Sequence, residues 1–216
     1  DKYAVSSYNR SINSSKNGLF KNEIIPLYYK DKKKNEICIE NDEQISKVNF
    51  DRIPNLKPAF VKDGSVTAAN SSPISDGASM LILMSEKKAS ELNINPIAEI
   101  VGYDDSATLP ELFTVAPSMS VKNLLNKTKE ALSNIDLFEI NEAFSMVPLV
   151  NINILSIDPK KVNINGGSVS LGHPLGCSGA RILTTLIHSL HHNEKRNGIA
   201  TICNGGGGAS SIQIKI

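Results

Sequence analysis

The feature that most restricts the fold is an alternation of short apolar runs with amphipathic stretches, from about residue 97 to the last residue. Ala98-Glu99-Ile100-Val101 predicts a strand, and Pro117 can open a helix carrying Val121, Leu124 and Leu125 on one face. Leu137-Phe138-Glu139-Ile140 predicts the next strand, and residues 144–155 a mostly apolar helix. Val162-Asn163-Ile164 predicts another strand, and residues 180–190 a helix between amphipathic and buried. Ile199-Ala200-Thr201-Ile202 and Ser211-Ile212-Gln213-Ile214 bracket four glycines and predict an antiparallel hairpin. The order β-α-β-α-β-α-β-β describes a layered α/β fold.

The first hundred residues are less regular. Tyr3, Val5, Tyr8 and Ile12 stand at helical spacing over residues 3–16, with Gly18 as the stop. Residues 23–29 read as a β segment interrupted by Pro26. Lys32-Lys33-Lys34 reads as a solvated hairpin tip, and Ile37-Cys38-Ile39 as a half-exposed strand. Residues 51–58 are predicted to hold little regular structure. Residues 64–79 are a run of small and turn-forming residues. Met80-Leu81-Ile82-Leu83-Met84 then predicts a strand covered on both faces. Ser85 is the expected N-cap of a helix that Asn93 ends.

Composition excludes several classes of function. Twenty-three basic and 22 acidic residues leave a formal net charge of +1, which argues against a nucleic-acid binder held by a broad basic field. No apolar run approaches the roughly 20 residues that cross a bilayer, so no membrane partner is expected. Three widely spaced cysteines make neither a disulfide framework nor a zinc cluster, which favours a reducing compartment over secretion. The chain opens at Asp1 without an initiator Met, and reads as either processed or a piece of something longer.

Three segments combine polar groups with unusual backbone freedom. Asn141-Glu142-Ala143-Phe144 leaves a strand and opens a helix, where Asn141 can donate hydrogen bonds, hold a water, or simply cap the helix. Residues 166–179 are dense in glycine and hold His173 rigidly between Gly172 and Pro174, as a base near neutral pH or as a structural loop histidine. This run matches neither phosphate-loop pattern, which disfavours nucleotide binding. Cys203 follows an apolar strand and precedes Gly205-Gly206-Gly207-Gly208. Free backbone donors there can lower a thiol pKa or form an oxyanion hole; the alternative is a buried inert thiol. Asn141, His173 and Cys203, each expected at the carboxyl end of a strand in one sheet, can converge. His188, His191 and His192 read as a solvated helix end, and Cys38 and Cys177 as structural.

In this order the three segments resemble the thiolase family. Ala69-Asn70-Ser71-Ser72 followed by Asp76-Gly77-Ala78 matches a further thiolase signature. The resemblance runs from Tyr3 to Ile216 and is strongest, over residues 162–182 and 199–210, to the group that forms acetoacetyl-CoA, the acetyl-CoA acetyltransferases. Cys203-Asn204 before four glycines resembles its potassium-activated type. It implies a thiolase-like α-β-α-β-α layering with only the second half complete in this chain. It also implies an enzyme, an acyltransferase condensing two acetyl-CoA to acetoacetyl-CoA and CoA, reversibly, through an acetylated cysteine. A degradative 3-ketoacyl-CoA thiolase and a non-catalytic CoA-binding fragment are the alternatives.

The resemblance assigns roles residue by residue. His173 matches the base that activates the nucleophilic thiol. Cys203 matches the second cysteine, which moves the methyl proton. Asn141 matches the residue that fixes a water, and the N–H of Gly205 an oxyanion donor. Ser72 matches a pantetheine contact. Lys47, Val48, Asn49 and Arg52 fall where the family meets the adenine and phosphates, and Tyr8 and Phe144 stand with the substrate contacts. Tyr8, Ala68, Ala69, Ser71 and Val169 fall at the potassium site, largely through backbone oxygens. Lys47, Ser71, Ser75 and Pro73 depart from the residues usual in the family.

No segment resembles the nucleophile motif, and Cys38 lacks its small-residue surroundings. Residues 1–74 are expected to be part of a CoA-binding loop domain, 75–95 the last strand and helix of a first half otherwise missing, and 96–216 the second half. No tightly bound cofactor is expected beyond the CoA thioester substrates and a potassium ion. A homodimer or homotetramer is expected, in the cytoplasm or the mitochondrion.

Overall fold

A computed structural model describes all residues, 1–216. Its centre is a four-stranded mixed sheet in the order β3 (Glu99–Ala107), β6 (Gly208–Lys215), β5 (Asn197–Cys203) and β4 (Leu137–Ile140). β4 and β5 run parallel; β5–β6 is the expected antiparallel hairpin, and β3 joins β6 antiparallel. The two sheet faces carry separate apolar cores. Helices α3 (Ala116–Thr128) and α4 (Met146–Leu155) supply Val121, Leu124, Val147 and Leu155 to one core, which takes Phe138, Ile140, Ile199 and Cys203 from the strands. Helix α6 (Ser178–His192) covers the other face with Ile182, Leu186 and Leu190 against Leu137, Ala200 and Ile214. The strands obey the two-residue period: Phe138 and Ile140 face one core, and Leu137 the other. Of the five layers expected, the chain builds three, α-β-α, around this one sheet.

The amino-terminal helix α1 (Lys2–Lys16) closes as the sequence predicts. Gly18 takes φ of 70°, the Leu19 N–H donates to the Ser14 carbonyl and the Gly18 N–H to that of Ser15, the paired bonds of a Schellman stop. Its buried face is made of Ala4, Ser7, Ser11 and Ser14. Small hydroxyls let it lie directly on the one-turn helix α5 (Ser168–Leu171), where Ser7 and Ser11 hydroxyls bond that of Ser170 at 3.0 and 2.7 Å. β1 (Leu27–Lys30) and β2 (Glu36–Ile39) form a separate exposed hairpin, and the three lysines lie in its tip. Pro26 confines the first strand to the residues after it. Ser85 caps the short helix α2 (Glu86–Glu91) by accepting from the Lys88 N–H at 3.2 Å, and Asn93 leaves it with φ of 53°.

Three expectations are corrected. Met80–Met84 is not a strand: it has no neighbouring strand to pair with, and only Leu81 packs against the α6 core while Met80 and Ile82 are more than 80 % exposed. Val162-Asn163-Ile164 makes only a single bridge, Val162 to Phe138. Asn163 is left-handed, with φ of 47°, and its side-chain amide takes the place of a ladder, bonding both the N–H and the carbonyl of Ile140 at 2.8 Å. Residues 50–55 form a short 3₁₀ helix, capped by Asn49 accepting from the Asp51 N–H, where little structure was expected.

Candidate active site

The small-residue run 70–73 fastens two loops together. Its backbone pairs with the loop after β4, Ser72 N–H to the Ala143 carbonyl at 3.0 Å and Ser145 N–H to the Asn70 carbonyl at 2.8 Å. It also takes the His173 N–H onto the Pro73 carbonyl at 2.9 Å. The Ser72 hydroxyl is spent on the Ala143 carbonyl at 2.9 Å. The Asn141 N–H donates to the Thr201 carbonyl at 2.9 Å, which fixes it beside the strand that ends in Cys203.

Asn141 and His173 meet directly, Nδ2 to Nε2 at 3.3 Å, and both are buried. The other ring nitrogen, Nδ1, lies 2.6 Å from the Ser178 hydroxyl at the start of α6. Burial lowers the His173 pKa below the ordinary histidine value, and the nearby Arg181 guanidinium adds to this. The expectation that His173 ends a strand is wrong. It follows the one-turn helix α5 and Gly172, which sits at φ of 101°.

Cys203 is the last residue of β5, 8 % exposed, with its backbone paired to Ala209. The glycine turn beyond it is built on Asn204, whose side-chain oxygen accepts from the Gly206 and Gly208 N–H groups at 3.0 and 3.3 Å. Gly207 has φ of 90°, and its carbonyl accepts from the Thr108 N–H at 2.9 Å, tying the turn to the end of β3. The exposed Gly205 N–H donates to nothing within the chain. Of the two alternatives read from the sequence, a thiol lowered by the turn and a buried thiol, the structure has the buried one. Burial dominates and pushes Cys203 up to about 11.

The remaining expected residues divide. Phe144 joins the Asn141 loop and stacks edge-on with Phe60 and Phe113, centroids 6.1 and 6.4 Å apart. Ser71 bridges to Phe144, and Val169 donates its N–H to Glu142 at 3.1 Å, so both lie at this loop. Tyr8 packs edge-on against Phe50. Lys47, Asn49 and Arg52 are exposed on or beside the 3₁₀ turns, with Val48 half-buried, and Lys47 is engaged with Glu43 at 2.7 Å. Ala68 is exposed and Ala69 half-buried, ahead of the fastening run. His188, His191 and His192 lie in the last turns of α6, and His191 bonds the Ile97 carbonyl at 2.9 Å.

Sequence reasoning missed Glu142. It is fully buried, and its carboxylate accepts from the hydroxyls of Tyr3 (2.8 Å) and Ser7 (2.7 Å), the Asn163 amide (3.0 Å) and the Val169 N–H. Those bonds lock α1 and the 163–170 loop onto Asn141's neighbour. The available signal was a carboxylate two residues beyond a short, mostly apolar strand, where burial demands partners. Ser168, Ser178 and Arg181 were missed too, because serine and arginine in a glycine-rich turn give no pattern of their own.

An acid or base, a buried thiol and a free backbone donor beside one sheet end suit proton transfer next to a carbonyl. The description "Thiolase, C-terminal domain" fits residues 94–216, and "Thiolase, N-terminal domain" residues 1–87. The chain belongs to the thiolase family. It is 47 % identical, along its whole length, to a protein of Dictyostelium discoideum named a probable acetyl-CoA acetyltransferase, of which it covers 52 %. It is also 47 % identical to the mitochondrial acetyl-CoA acetyltransferase B of Xenopus laevis (51 % covered) and 44 % identical to a cytosolic acetyl-CoA acetyltransferase of Gibberella zeae (54 % covered). The acetyl-CoA acetyltransferase of Bacillus anthracis superposes with a TM-score of 0.96 at 39 % identity, and a thiolase of Ascaris suum in complex with coenzyme A with 0.89 at 42 %. The whole chain matches 55 % of each of those structures. The chain therefore spans about half the length of the relatives it matches. No helix is long and apolar enough to cross a membrane.

Proposed function

We propose that these residues serve an acyltransferase that condenses two acetyl-CoA molecules to acetoacetyl-CoA and CoA, and cleaves the product in reverse. The observation that carries the reading is the contact of Asn141 with His173 on a loop fastened beside the Cys203 strand and its free Gly205 N–H. His173 Nε2 takes the proton of a nucleophilic thiol, which attacks the first acetyl-CoA and receives its acetyl group, while the CoA departs as a thiol with the proton of Cys203 and leaves Cys203 as thiolate. Cys203, as thiolate, takes a methyl proton from the second acetyl-CoA. The carbanion attacks the acetyl carbonyl, and the nucleophilic thiolate leaves and takes its proton back from His173. In the reverse direction Cys203 returns its proton to the leaving carbanion, a role that suits a thiol still protonated near neutral pH. Asn141 holds the water that, with His173, faces the enolate oxygen, and Gly205 N–H faces the second oxyanion.

The three cysteines do not include a nucleophile: Cys38 lies exposed on β2, and Cys177 stands just before α6. Residues 1–74 fit a share of a CoA-binding loop domain, 75–95 the end of a first half, and 96–216 a second half. Ser72, Phe144 and Tyr8 are assigned to the pantetheine side, and Lys47, Val48, Asn49 and Arg52 to the nucleotide end. The carbonyl oxygens of Ala68, Ala69 and Ser71 accept no hydrogen bond within the chain, which fits oxygen ligation of a potassium ion together with Tyr8 and Val169. A homodimer or homotetramer in the cytoplasm or mitochondrion completes the reading.

The test joins this chain to its complete parent protein and traps the acetyl-enzyme for mass spectrometry. His173→Ala is expected to abolish acetylation, whereas Cys203→Ala is acetylated but does not condense. Normal condensation by Cys203→Ala would sink the assignment.

A further inference from the structure

The side chains around His173 form one continuous chain of hydrogen bonds whose two ends can each play only one role. At one end Arg181 Nη2 donates to the Ser168 hydroxyl at 3.1 Å; a guanidinium has no acceptor. Ser168 donates to Asn141 Oδ1 at 2.7 Å, Asn141 Nδ2 meets His173 Nε2 at 3.3 Å, and His173 Nδ1 meets Ser178 Oγ at 2.6 Å. At the other end Ser178 Oγ donates to the Pro174 carbonyl at 3.0 Å, and a carbonyl can only accept. Ser168, Asn141 and Ser178 are almost fully buried, and His173 is 8 % exposed, so water does not readily replace a lost partner.

Fixing both ends fixes the polarity between them. With Ser168 donating to Oδ1, the Asn141 amide turns its N–H toward Nε2, which must then carry the lone pair. Nδ1 carries the proton and gives it to Ser178, whose own proton goes to Pro174. Reversing the run would make Ser178 donate to Nδ1 and put a proton on Nε2. Asn141 would then have to present its oxygen to the ring and its N–H to Ser168. Ser168 would accept from both Arg181 and Asn141, and its own proton would lose the buried acceptor it now has.

We infer that Ser178 and Ser168 are positioning residues that hold His173 as the neutral Nδ1–H tautomer, with the lone pair on Nε2, where it faces the Asn141 amide. The inference rests on the proposed role of His173 as a base for its use, though not for its existence. A hydrogen bond of this kind shifts such an equilibrium about fivefold, so the pair of serines sets a tautomer ratio on the order of thirtyfold. A proton added at Nε2 would point at the Asn141 amide protons, and burial, with the Arg181 charge, independently lowers the His173 pKa.

The test is nitrogen-15 NMR of the histidine-labelled 216-residue chain at pH 7.5, with His173→Gln assigning the ring signals. The expected result is a protonated-type shift at Nδ1 and an unprotonated-type shift at Nε2. Ser178→Ala should move population to the Nε2–H form by about fivefold, and Ser178→Thr should restore the native pattern. Ser168→Ala reaches the same ring from the other end and should shift it in the same direction, which guards against one variant failing to fold. Nε2 protonated in the native chain, or ring shifts unmoved in both alanine variants, would overturn the inference. The measurement does not involve acetyl transfer. Failure of the proposed activity would appear in the His173→Ala and Cys203→Ala trapping experiment with the tautomer unchanged.

Discussion

The His173 loop and the Cys203 turn stand at neighbouring points of one sheet end, yet they are built on opposite plans. The histidine loop spends its polar groups inward: both ring nitrogens, the Asn141 amide and two serines are bonded to one another. The cysteine turn closes on itself through Asn204 and leaves a backbone donor facing outward. Burial acts on both titratable groups and favours the uncharged form of each, so the imidazole is pulled down and the thiol pushed up. One loop therefore holds a lone pair and the other a proton, and the same physical cause produces both. A base and an acid at one sheet end do not require two differently charged environments.

The largest expected effect falls on turnover of the proposed acyltransferase. Cys203→Ser should lower it by about 10²–10⁴, the range of a general acid or base, because an alcohol ionises far less readily than a thiol. Retained turnover would mean that the side chain only fills space and that the contrast between the loops is not chemical. Next comes the proton itself. In a variant with Cys38 and Cys177 replaced by serine, iodoacetamide labelling of Cys203 should rise with pH toward a midpoint near 11. A midpoint below 8 would mean that the glycine donors, not burial, govern the thiol.

Two glycines then separate the loops by stability. A Cβ at Gly207 would strike the Thr108 carbonyl and the Leu109 backbone, while one at Gly172 would meet only the movable Ser75 side chain. Both sit at positive φ. Gly207→Ala should cost about 2–3 kcal/mol and Gly172→Ala about 1–2 kcal/mol by urea unfolding; the reverse order would show that the turn can shift and the histidine loop cannot. The smallest effect is Asn204→Ala, about 1 kcal/mol, because its two bonds lie in exposed backbone that water can satisfy.

Much of this was legible from residue patterns alone. The short strand Leu137–Ile140, buried along its whole length, the helical stripe of Val121, Leu124 and Leu125, and the glycine-bracketed hairpin all follow from local spacing. That Asn141 and His173 can converge was read by placing both at carboxyl ends of strands, a placement that holds for Asn141 but not for His173, which follows α5. What was illegible depended on a partner elsewhere. An apolar pentapeptide at 80–84 reads as a strand until one asks what it pairs with. Asn163 reads as a strand residue until its left-handed backbone lets its amide stand in for the ladder. The thiol pKa turned on how deeply β5 is covered, which a motif does not state.

The buried carboxylate of Glu142 has a consequence for how the molecule comes to be folded. Its bonds to Tyr3 and Ser7 join residues 139 and 135 positions apart in sequence. Helix α1 can wind early, but its serine face has little apolar surface to hold it against anything until Glu142 and the 163–170 loop are in place. Such distant closures are slow because loop entropy must be surrendered before the contact returns any energy. Helix α1 should therefore be among the last elements to gain amide protection during refolding, and the Asn141 loop should be finished by the chain's first turns.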